Sequence, residues 1–361
     1  MKRAIQSYRR PLLRRWARSA LGACCAFALA SCVGVRPGAS GATGGRGGTS
    51  AAGGALGAGG ARGTGGAYVD GTGGAPPYAG ADARPERCDD AGNCACMNIS
   101  SLGKVAHYGA NSDSTDAFQQ YLNTKSNARM TLLTGRATLS PELLASSDVI
   151  ILQALEDSEY IGFWSYGQDE IDALAAWVRA GNGLIALTGY GGNADEVDPD
   201  NQLLAFAGIS YGKSDTFASC PDNYCYCTDS SIPFSGWTAG SFLGAHMTAP
   251  DGGPGAVGLL HGRPITCVDT ADGPCQIVAS DPQAGIVGVA KQVGKGRVLV
   301  WSDEWVTYTS QWGAVNTHGA DCAGHTAGEI YDVPQFWYNA LHWLLPDASC
   351  FHIADPIIVI D

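Results

Sequence analysis

The sequence predicts an α/β fold: a three-layer, doubly wound arrangement in which helices cover both faces of a mostly parallel sheet. Short apolar runs alternate with amphipathic helical patterns over the first half of residues 87–361. The runs Asp148–Gln153 and Leu184–Thr188 are almost continuously apolar, as strands are when both faces of a sheet are covered. A segment of this length suits one large α/β domain.

The individual elements follow from their residue patterns. Strands are predicted at Lys104–Tyr108, Met130–Leu133, Asp148–Gln153 and Leu184–Thr188, and later at Ile277–Ala279, Ile286–Lys291 and Arg297–Trp301. Helices are predicted at about 113–123, at Pro141–Leu144, from Gln168, at Asn201–Ala207 and at Val333–Leu345. The helix from Gln168 has the clearest pattern, because its apolar residues recur at i, i+3, i+4 and i+7 and Gly181 follows them.

The N-terminus predicts export. Seven Lys/Arg residues stand among the first 18, an apolar run follows from Ser19, and Leu29-Ala30-Ser31-Cys32 comes next. This order resembles the lipobox of bacterial lipoproteins, which implies a signal peptide of residues 1–31 and a lipid on Cys32. The apolar run is shorter than the roughly 20 residues that a membrane-spanning helix needs. An ordinary secretory signal cleaved nearby is the alternative.

Residues 32–86 predict a tether rather than a domain. They are mostly Gly, Ala, Ser and Thr, with almost no bulky side chain before Tyr68. Such a segment buries too little apolar surface to offset the entropy of ordering, so we expect a disordered Gly/Ala-rich linker. A lipid-anchored protein of the cell envelope is therefore predicted. Val33 does not match a retention signal for the inner membrane, which favours the outer membrane.

The charge of the chain restricts its partners. Removal of residues 1–31 leaves 15 basic against 34 acidic residues, a net charge of −19. Such a surface repels nucleic acid, so no nucleic-acid partner is expected. No cofactor is predicted, although acidic loops could bind Ca²⁺.

The cysteines predict a disulfide framework. Ten follow Cys32, an even number that allows up to five bridges in an exported protein. They are Cys88, Cys94, Cys96, Cys220, Cys225, Cys227, Cys267, Cys275, Cys322 and Cys350. Cys267 and Cys275 are close enough for a local pair, and the spacing leaves the other pairings open. Three of the ten lie in the irregular sequence of about 210–264, which predicts a disulfide-rich insertion.

Several segments resemble the class I glutamine amidotransferase-like superfamily. They are Asp148–Leu152, Asp169–Tyr190 with its helix, Gly-x-Gly turn and strand, Val289–Trp305 with its Gly-Lys-Gly-Arg hairpin, and the closing Asn339–Leu345. The resemblance implies a flavodoxin-like, amidotransferase-like domain over residues 87–361. True members carry a nucleophilic Cys after the strand matching Leu184–Thr188 and a His-x-Glu after the late strand. Here these positions read Thr188–Gly192 and Trp301–Trp305, without Cys or His, so glutaminase activity is not expected.

Acidic and aromatic residues follow the predicted strands. Ligands of open α/β sheets bind beyond the carboxyl ends of the strands. The ligand-binding residues that we predict there are Glu156, Asp157, Trp164, Tyr190, Asn193, Asp195, Asp303, Glu304 and Trp305. Aromatic faces beside carboxylates suit a carbohydrate or cell-wall polymer, so a non-catalytic binding module is the first hypothesis. A hydrolase that uses Asp303 and Glu304, and a structural or protein-interaction role in an envelope assembly, are the alternatives.

Overall fold

The computed structural model describes residues 87–88, 92, 94–103, 115–133, 135–158, 161–187, 193–214, 232–248, 255–259, 262–282, 284–312, 330–346, 348 and 350–352. The predicted signal peptide, Cys32, the tether, the strand at Lys104–Tyr108 and Tyr190 lie outside these residues, as do Cys220, Cys225, Cys227 and Cys322. Within the described ranges, no helix has the length and apolar character needed to cross a membrane.

A seven-stranded sheet forms the centre of the fold. Its strands are β1 Met97–Leu102, β2 Ala128–Leu133, β3 Val149–Leu152, β4 Gly183–Leu187, β5 Cys275–Asp281, β6 Gly285–Val293 and β7 Gly296–Trp301. Their order across the sheet is β5-β6-β7-β4-β3-β1-β2. The pairs from β7 to β2 are all parallel, and β6 is antiparallel to both of its neighbours. A mixed α/β fold with a mostly parallel sheet is therefore confirmed.

Strand β1 was not predicted, and the strand predicted at Lys104–Tyr108 lies outside the described residues. Strand β1 contains Ser100 and Ser101, which interrupt the apolar pattern although both are buried. The Ser100 hydroxyl lies 2.7 Å from the hydroxyl of Ser147, and that of Ser101 donates to Gln153 Oε1 at 3.4 Å. Because side-chain partners satisfy these hydroxyls, a central strand tolerates them.

The described part of the chain contains five α-helices: α1 Asp116–Lys125, α2 Pro141–Ser146, α3 Gln168–Arg179, α4 Val197–Leu204 and α5 Val333–Leu344. Helix α4 begins four residues before the predicted Asn201. It can include Pro199, because this residue lies in the first turn, where a missing N–H removes no helical hydrogen bond. A short 3₁₀ helix, Ala205–Ala207, continues it.

The buried apolar residues form two clusters that use alternate positions of the strands. Ile151 belongs to one cluster together with side chains of α1 and α5. Ile150 belongs to the other, with side chains of α2, α3 and α4. Since successive side chains of a strand point to opposite faces, the two clusters cover opposite faces of the sheet.

The outer strand β2 has its backbone partly covered by α1. The Met130 N–H donates to Asn123 Oδ1 at 2.7 Å. The Met130 carbonyl accepts from the side-chain amides of Asn123 and Gln119, both at 3.2 Å. These contacts satisfy the backbone N–H and carbonyl of Met130, which would otherwise be open on the outer side of β2.

Three disulfides are present among the described residues. They join Cys88 to Cys94, Cys96 to Cys350 and Cys267 to Cys275. The expectation of disulfides and the local pair of Cys267 with Cys275 are confirmed, and the bridges expected of the remaining four cysteines lie outside the described residues. The pair of Cys96 and Cys350, 254 residues apart, connects the start of β1 to the segment after α5.

Candidate functional site

The parallel strands β1, β3, β4 and β7 end at one edge of the sheet, here called the carboxyl edge. Gly103 and Gln153 follow β1 and β3 there and are in close contact. A Cβ atom at Gly103, whose φ is +119°, would lie 1.4 Å from the Gln153 carbonyl oxygen, so this position requires glycine. The backbone segments that follow neighbouring strands therefore pack directly on each other.

Four buried acidic side chains gather at the carboxyl edge, and we call them the acid cluster: Glu156, Glu196, Asp303 and Glu304. Their exposed fractions are 4%, 7%, 0% and 0%. Burial raises the pKa of Glu304 well above its usual value, a hydrogen bond from Tyr308 lowers it, and the charges of Glu196, Asp303 and Glu156 raise it further. Glu304 therefore holds its proton more tightly than an exposed glutamic acid does, beside other carboxyl groups.

Short turns after β7 position two of these acids. The 3₁₀ helix Trp305–Thr307 directly follows Glu304. Asp303 Oδ1 accepts a hydrogen bond from the Trp305 N–H at 3.0 Å, and Glu304 Oε1 is hydrogen-bonded to the hydroxyl of Tyr308. Each carboxyl group is thus fixed by a residue two or four positions later in the same turn.

Arg263 holds the third acid. Its guanidinium donates to Glu196 Oε1 at 2.7 Å and to the carbonyl oxygens of Lys213 and Asn193 at 2.7 and 3.2 Å. Its backbone N–H donates to the Ser302 carbonyl at 2.8 Å. Arg263 is 2% exposed, so this ion pair is buried and connects the segments that follow β4 and β7.

A chain of polar side chains supports the turn that carries Glu304. Gln153 Nε2 donates to the Thr307 hydroxyl at 3.0 Å, and this hydroxyl donates to the Glu304 carbonyl at 2.8 Å. Gln153 and Thr307 are 1% and 0% exposed. Because Gln153 follows β3, this chain fixes the turn after β7 relative to β3.

The structure brings together only some of the residues predicted to bind a ligand. Glu156, Asp303 and Glu304 belong to the acid cluster, and Trp305 packs edge-on against Tyr308 with ring centres 5.5 Å apart. Trp164 and Trp305 are each 5% exposed, so neither presents an open ring face. Asp157 is exposed and accepts from Trp164 Nε1 at 2.8 Å.

Asn193 and Asp195 lie beside the acid cluster rather than in it. Asn193 Oδ1 accepts from the Asp195 N–H at 3.0 Å and caps a short 3₁₀ helix. Asp195 and Asp198 form exposed ion pairs with Lys213 at 2.8 and 2.9 Å. In the part of the chain that the structure describes, no three His, Cys, Asp or Glu side chains are grouped closely enough to hold a metal ion.

Arg263, Glu196, Gln153 and Thr307 belong to this site but were not among the residues predicted to bind a ligand, and Arg263 is the most informative of them. It lies within the segment predicted as an irregular insertion, about 210–264, where no periodicity marks it. Glu196 does stand among the acids that follow β4, but nothing in the sequence distinguishes it from its exposed neighbours. An arginine with no nearby acidic residue in sequence was the available signal, because a buried guanidinium requires a distant carboxylate.

Comparison with known proteins assigns no family. No protein-family model and no curated protein matches the chain. Among solved structures, the mmIFT52 N-terminal domain has a TM-score of 0.47 at 14% identity, covering 69% of this chain and 97% of that one. Cytoplasmic Protein STM1381 from Salmonella typhimurium LT2 has a TM-score of 0.43 at 15% identity, covering 69% and 100%.

A glycosidase also matches in part. Exo-beta-1,4-mannosidase Op5Man5 from Opitutaceae bacterium strain TAV5 has a TM-score of 0.31 at 15% identity, covering 59% of this chain and 32% of that chain. At these TM-scores the similarities carry no argument about fold or activity.

Proposed function

We propose that this protein is a lipid-anchored protein of the bacterial cell envelope whose residues 87–361 form a ligand-binding head. The order of charged, apolar and small residues before Cys32 supports the anchor, and the disulfides agree with an oxidising compartment. We also propose a flavodoxin-like, three-layer arrangement for the head. The strand order β2-β1-β3-β4-β7 and the apolar clusters on both faces of the sheet support it.

The acid cluster is the observation on which the binding proposal depends. Four carboxyl groups from three separate strand ends are buried together, and Arg263 forms an ion pair with one of them. Burying like-charged groups together costs free energy, which such sites offset elsewhere in the fold. Perturbed carboxyl groups at the ligand-binding edge of an α/β sheet are typical of functional sites.

The chemistry of this edge favours a ligand rich in hydroxyl groups, such as a carbohydrate or cell-wall polymer. A protonated carboxyl group donates one hydrogen bond and an ionised one only accepts, so the acid cluster and the Gln153 amide offer both donors and acceptors. Trp164 and Trp305 are as buried as these polar groups, so a ligand reaches either set only if the carboxyl edge opens when it binds.

A hydrolase is the second candidate, and the raised pKa of Glu304 favours it. A carboxyl group with a raised pKa next to a second carboxyl group, that of Asp303, is the pair from which a general acid and a base or nucleophile are made. Both side chains are fully buried, so this function requires the edge to open when substrate binds. A Glu304→Gln variant that abolishes release of product from a cell-wall substrate would identify the hydrolase.

The experiment that tests the binding proposal is calorimetric titration of the 361-residue chain with glycans and cell-wall fragments, each with and without Ca²⁺ or EDTA. We expect one class to bind, and Glu156→Gln to weaken that binding. The matched control is Asp272→Asn, which removes a carboxylate paired with Arg179 at the opposite end of the sheet. If Glu156→Gln and Asp272→Asn bind the glycan equally well, the proposed site at the acid cluster is wrong. It is also wrong if only Ca²⁺ gives a binding signal and no glycan or cell-wall fragment does.

A further inference from the structure

The bridge between Cys88 and Cys94 lies at the boundary of the folded head. Both of its cysteines are exposed, whereas the next two residues, Ala95 and Cys96, are 4% and 2% exposed. The Cys96 N–H donates to the Asn127 carbonyl oxygen at 2.9 Å. The closely packed part of the head therefore begins directly after Cys94, and the bridge stands outside it.

The backbone pairing that accompanies this bridge is short. Arg87–Cys88 and Cys94–Ala95 form a two-stranded ladder of two residue pairs, which is separate from the seven-stranded sheet. A ladder of this size is not stable by itself in water. Breaking the bridge should therefore release the chain before Ala95 and leave the seven-stranded sheet in place.

The bridge between Cys267 and Cys275 offers a matched comparison. Its cysteines are 8 residues apart and those of the first bridge are 6 apart, so the two bridges close loops of similar length. Cys267 and Cys275 are partly buried, and Cys275 is the first residue of β5. The Cys275 N–H donates to Asp269 Oδ1 at 2.9 Å. The two local bridges thus differ in accessibility and in the support that the fold gives them.

We propose that the Cys88–Cys94 bridge is a site of thiol–disulfide exchange with a dithiol. One thiolate of the dithiol attacks a sulfur of the bridge, forms a mixed disulfide with it and displaces the other sulfur as a thiolate, which takes up a proton. The second thiol of the dithiol loses its proton, attacks the mixed disulfide and displaces the first cysteine, which is protonated in turn. The dithiol leaves as a disulfide, so two electrons pass to the head, which gains two accessible thiols.

Accessibility favours exchange at this bridge over the other two described bridges. A thiolate must reach a sulfur atom before it can attack, so a buried bridge reacts only after the surrounding structure opens. Cys96, which is 2% exposed, is bonded to Cys350 and still fastens the start of β1 when the first bridge is open. The head therefore stays folded during the exchange. This inference does not rest on the proposed ligand-binding function.

Reduction of the folded 361-residue chain with dithiothreitol tests the proposal. Thiols freed at successive times are trapped by alkylation, and peptide mass spectrometry assigns them to individual bridges. We expect Cys88–Cys94 to open at least about 10-fold faster than Cys267–Cys275, and oxidised glutathione to re-form it after the dithiothreitol is removed. Because the two loops are of similar length, loop length cannot produce this difference. Equal rates, slower opening of Cys88–Cys94, or failure to re-form it overturn the proposal.

Near-UV circular dichroism separates exchange from unfolding. The tryptophan signal should stay unchanged while Cys88–Cys94 opens. A variant with Cys88→Ser and Cys94→Ser should give the same spectrum and the same opening rate for Cys267–Cys275. A signal that falls in parallel with the opening of Cys88–Cys94 would show that reduction follows unfolding. That result, or a double variant without the folded spectrum, overturns the proposal.

Discussion

The two ends of the sheet are stabilised in different ways. At the amino end, Cys96 is bonded to Cys350, Asn127 is hydrogen-bonded to His352, and Gly296 packs so closely that a Cβ there would lie 1.9 Å from the Val178 carbonyl oxygen. At the carboxyl edge, buried carboxyl groups take part in the packing. The first set of contacts is independent of pH, whereas the second depends on protonation. The acid cluster thus lies at the edge where α/β sheets bind ligands.

Removal of the Cys96–Cys350 disulfide should have the largest effect on stability. Replacing both cysteines with Ser frees a loop of 254 residues in the unfolded chain, and we expect the free energy of unfolding to fall by about 5 kcal/mol. Urea denaturation under non-reducing conditions measures it. The paired control replaces Cys88 and Cys94, 6 residues apart, for which about 2 kcal/mol is expected. Equal losses for both pairs would show that closure of the long loop is not what stabilises the amino end.

Breaking the buried ion pair should be the next largest effect and the largest at the carboxyl edge. Arg263→Met leaves Glu196 buried without its cation, so we expect a loss of about 3–5 kcal/mol. Urea denaturation of the single variant and of Arg263→Met with Glu196→Gln measures it. Because the second change removes the uncompensated charge, the double variant should recover part of the loss. A double variant as unstable as the single one would mean that Arg263 acts through its backbone-carbonyl contacts instead.

A smaller effect at the carboxyl edge should depend on pH. Asp332 caps α5 by accepting from the Gln335 N–H at 3.3 Å, and burial raises its pKa from 3.8 to about 6. Since the folded protein binds this proton more tightly than the unfolded chain, the stability contributed by the group is complete below about pH 4 and lost as the pH rises through 6. Asp332→Asn keeps the cap and removes the titration.

We therefore expect Asp332→Asn to match the parent chain at pH 4 and to exceed its stability by about 1–2 kcal/mol at pH 7. Urea denaturation at both pH values checks this. A variant that is less stable than its parent at pH 7 would show that the ionised side chain is the better cap.

The exposed ion pairs of Lys213 should contribute least. Lys213 contacts Asp195 and Asp198, and all three side chains are about half exposed. Solvent screens such pairs, so Lys213→Ala should leave the melting temperature almost unchanged, and 0.5 M salt should remove even a small difference. Thermal unfolding at two salt concentrations measures it. A loss comparable to that of Arg263→Met would remove the distinction between buried and exposed pairs on this segment.

Local patterns predicted much of the sheet and little of the site. Strands β3 and β4 and helix α3 were predicted because burial on both faces and helical periodicity both leave marks within a few residues. Strand β1 was not predicted, because Ser100 and Ser101 interrupt its apolar pattern and their hydrogen-bond partners are visible only in the folded chain. The convergence of strand-end acids followed from parallel topology, but their burial did not.

The burial of the acids depends on partners far away in sequence. Arg263 reaches Glu196 across 67 positions, and such a contact has no periodicity to reveal it. The two tryptophans predicted to bind a ligand are interior residues. The sequence does not distinguish the two cases, because a ring beside a strand end can face either solvent or the core. Trp164 and Trp305 both face the core.

The hydrogen bonds of Asn123 and Gln119 to the backbone of Met130 affect how copies of this protein interact at high concentration. An uncovered outer strand offers its amides to any extended segment that approaches, and identical chains can then stack into fibrils. Here the donor and acceptor at the middle of β2 are already engaged by the protein's own helix. A neighbouring copy therefore cannot form backbone hydrogen bonds with Met130 at the middle of β2, which disfavours strand-to-strand polymerisation along this outer strand.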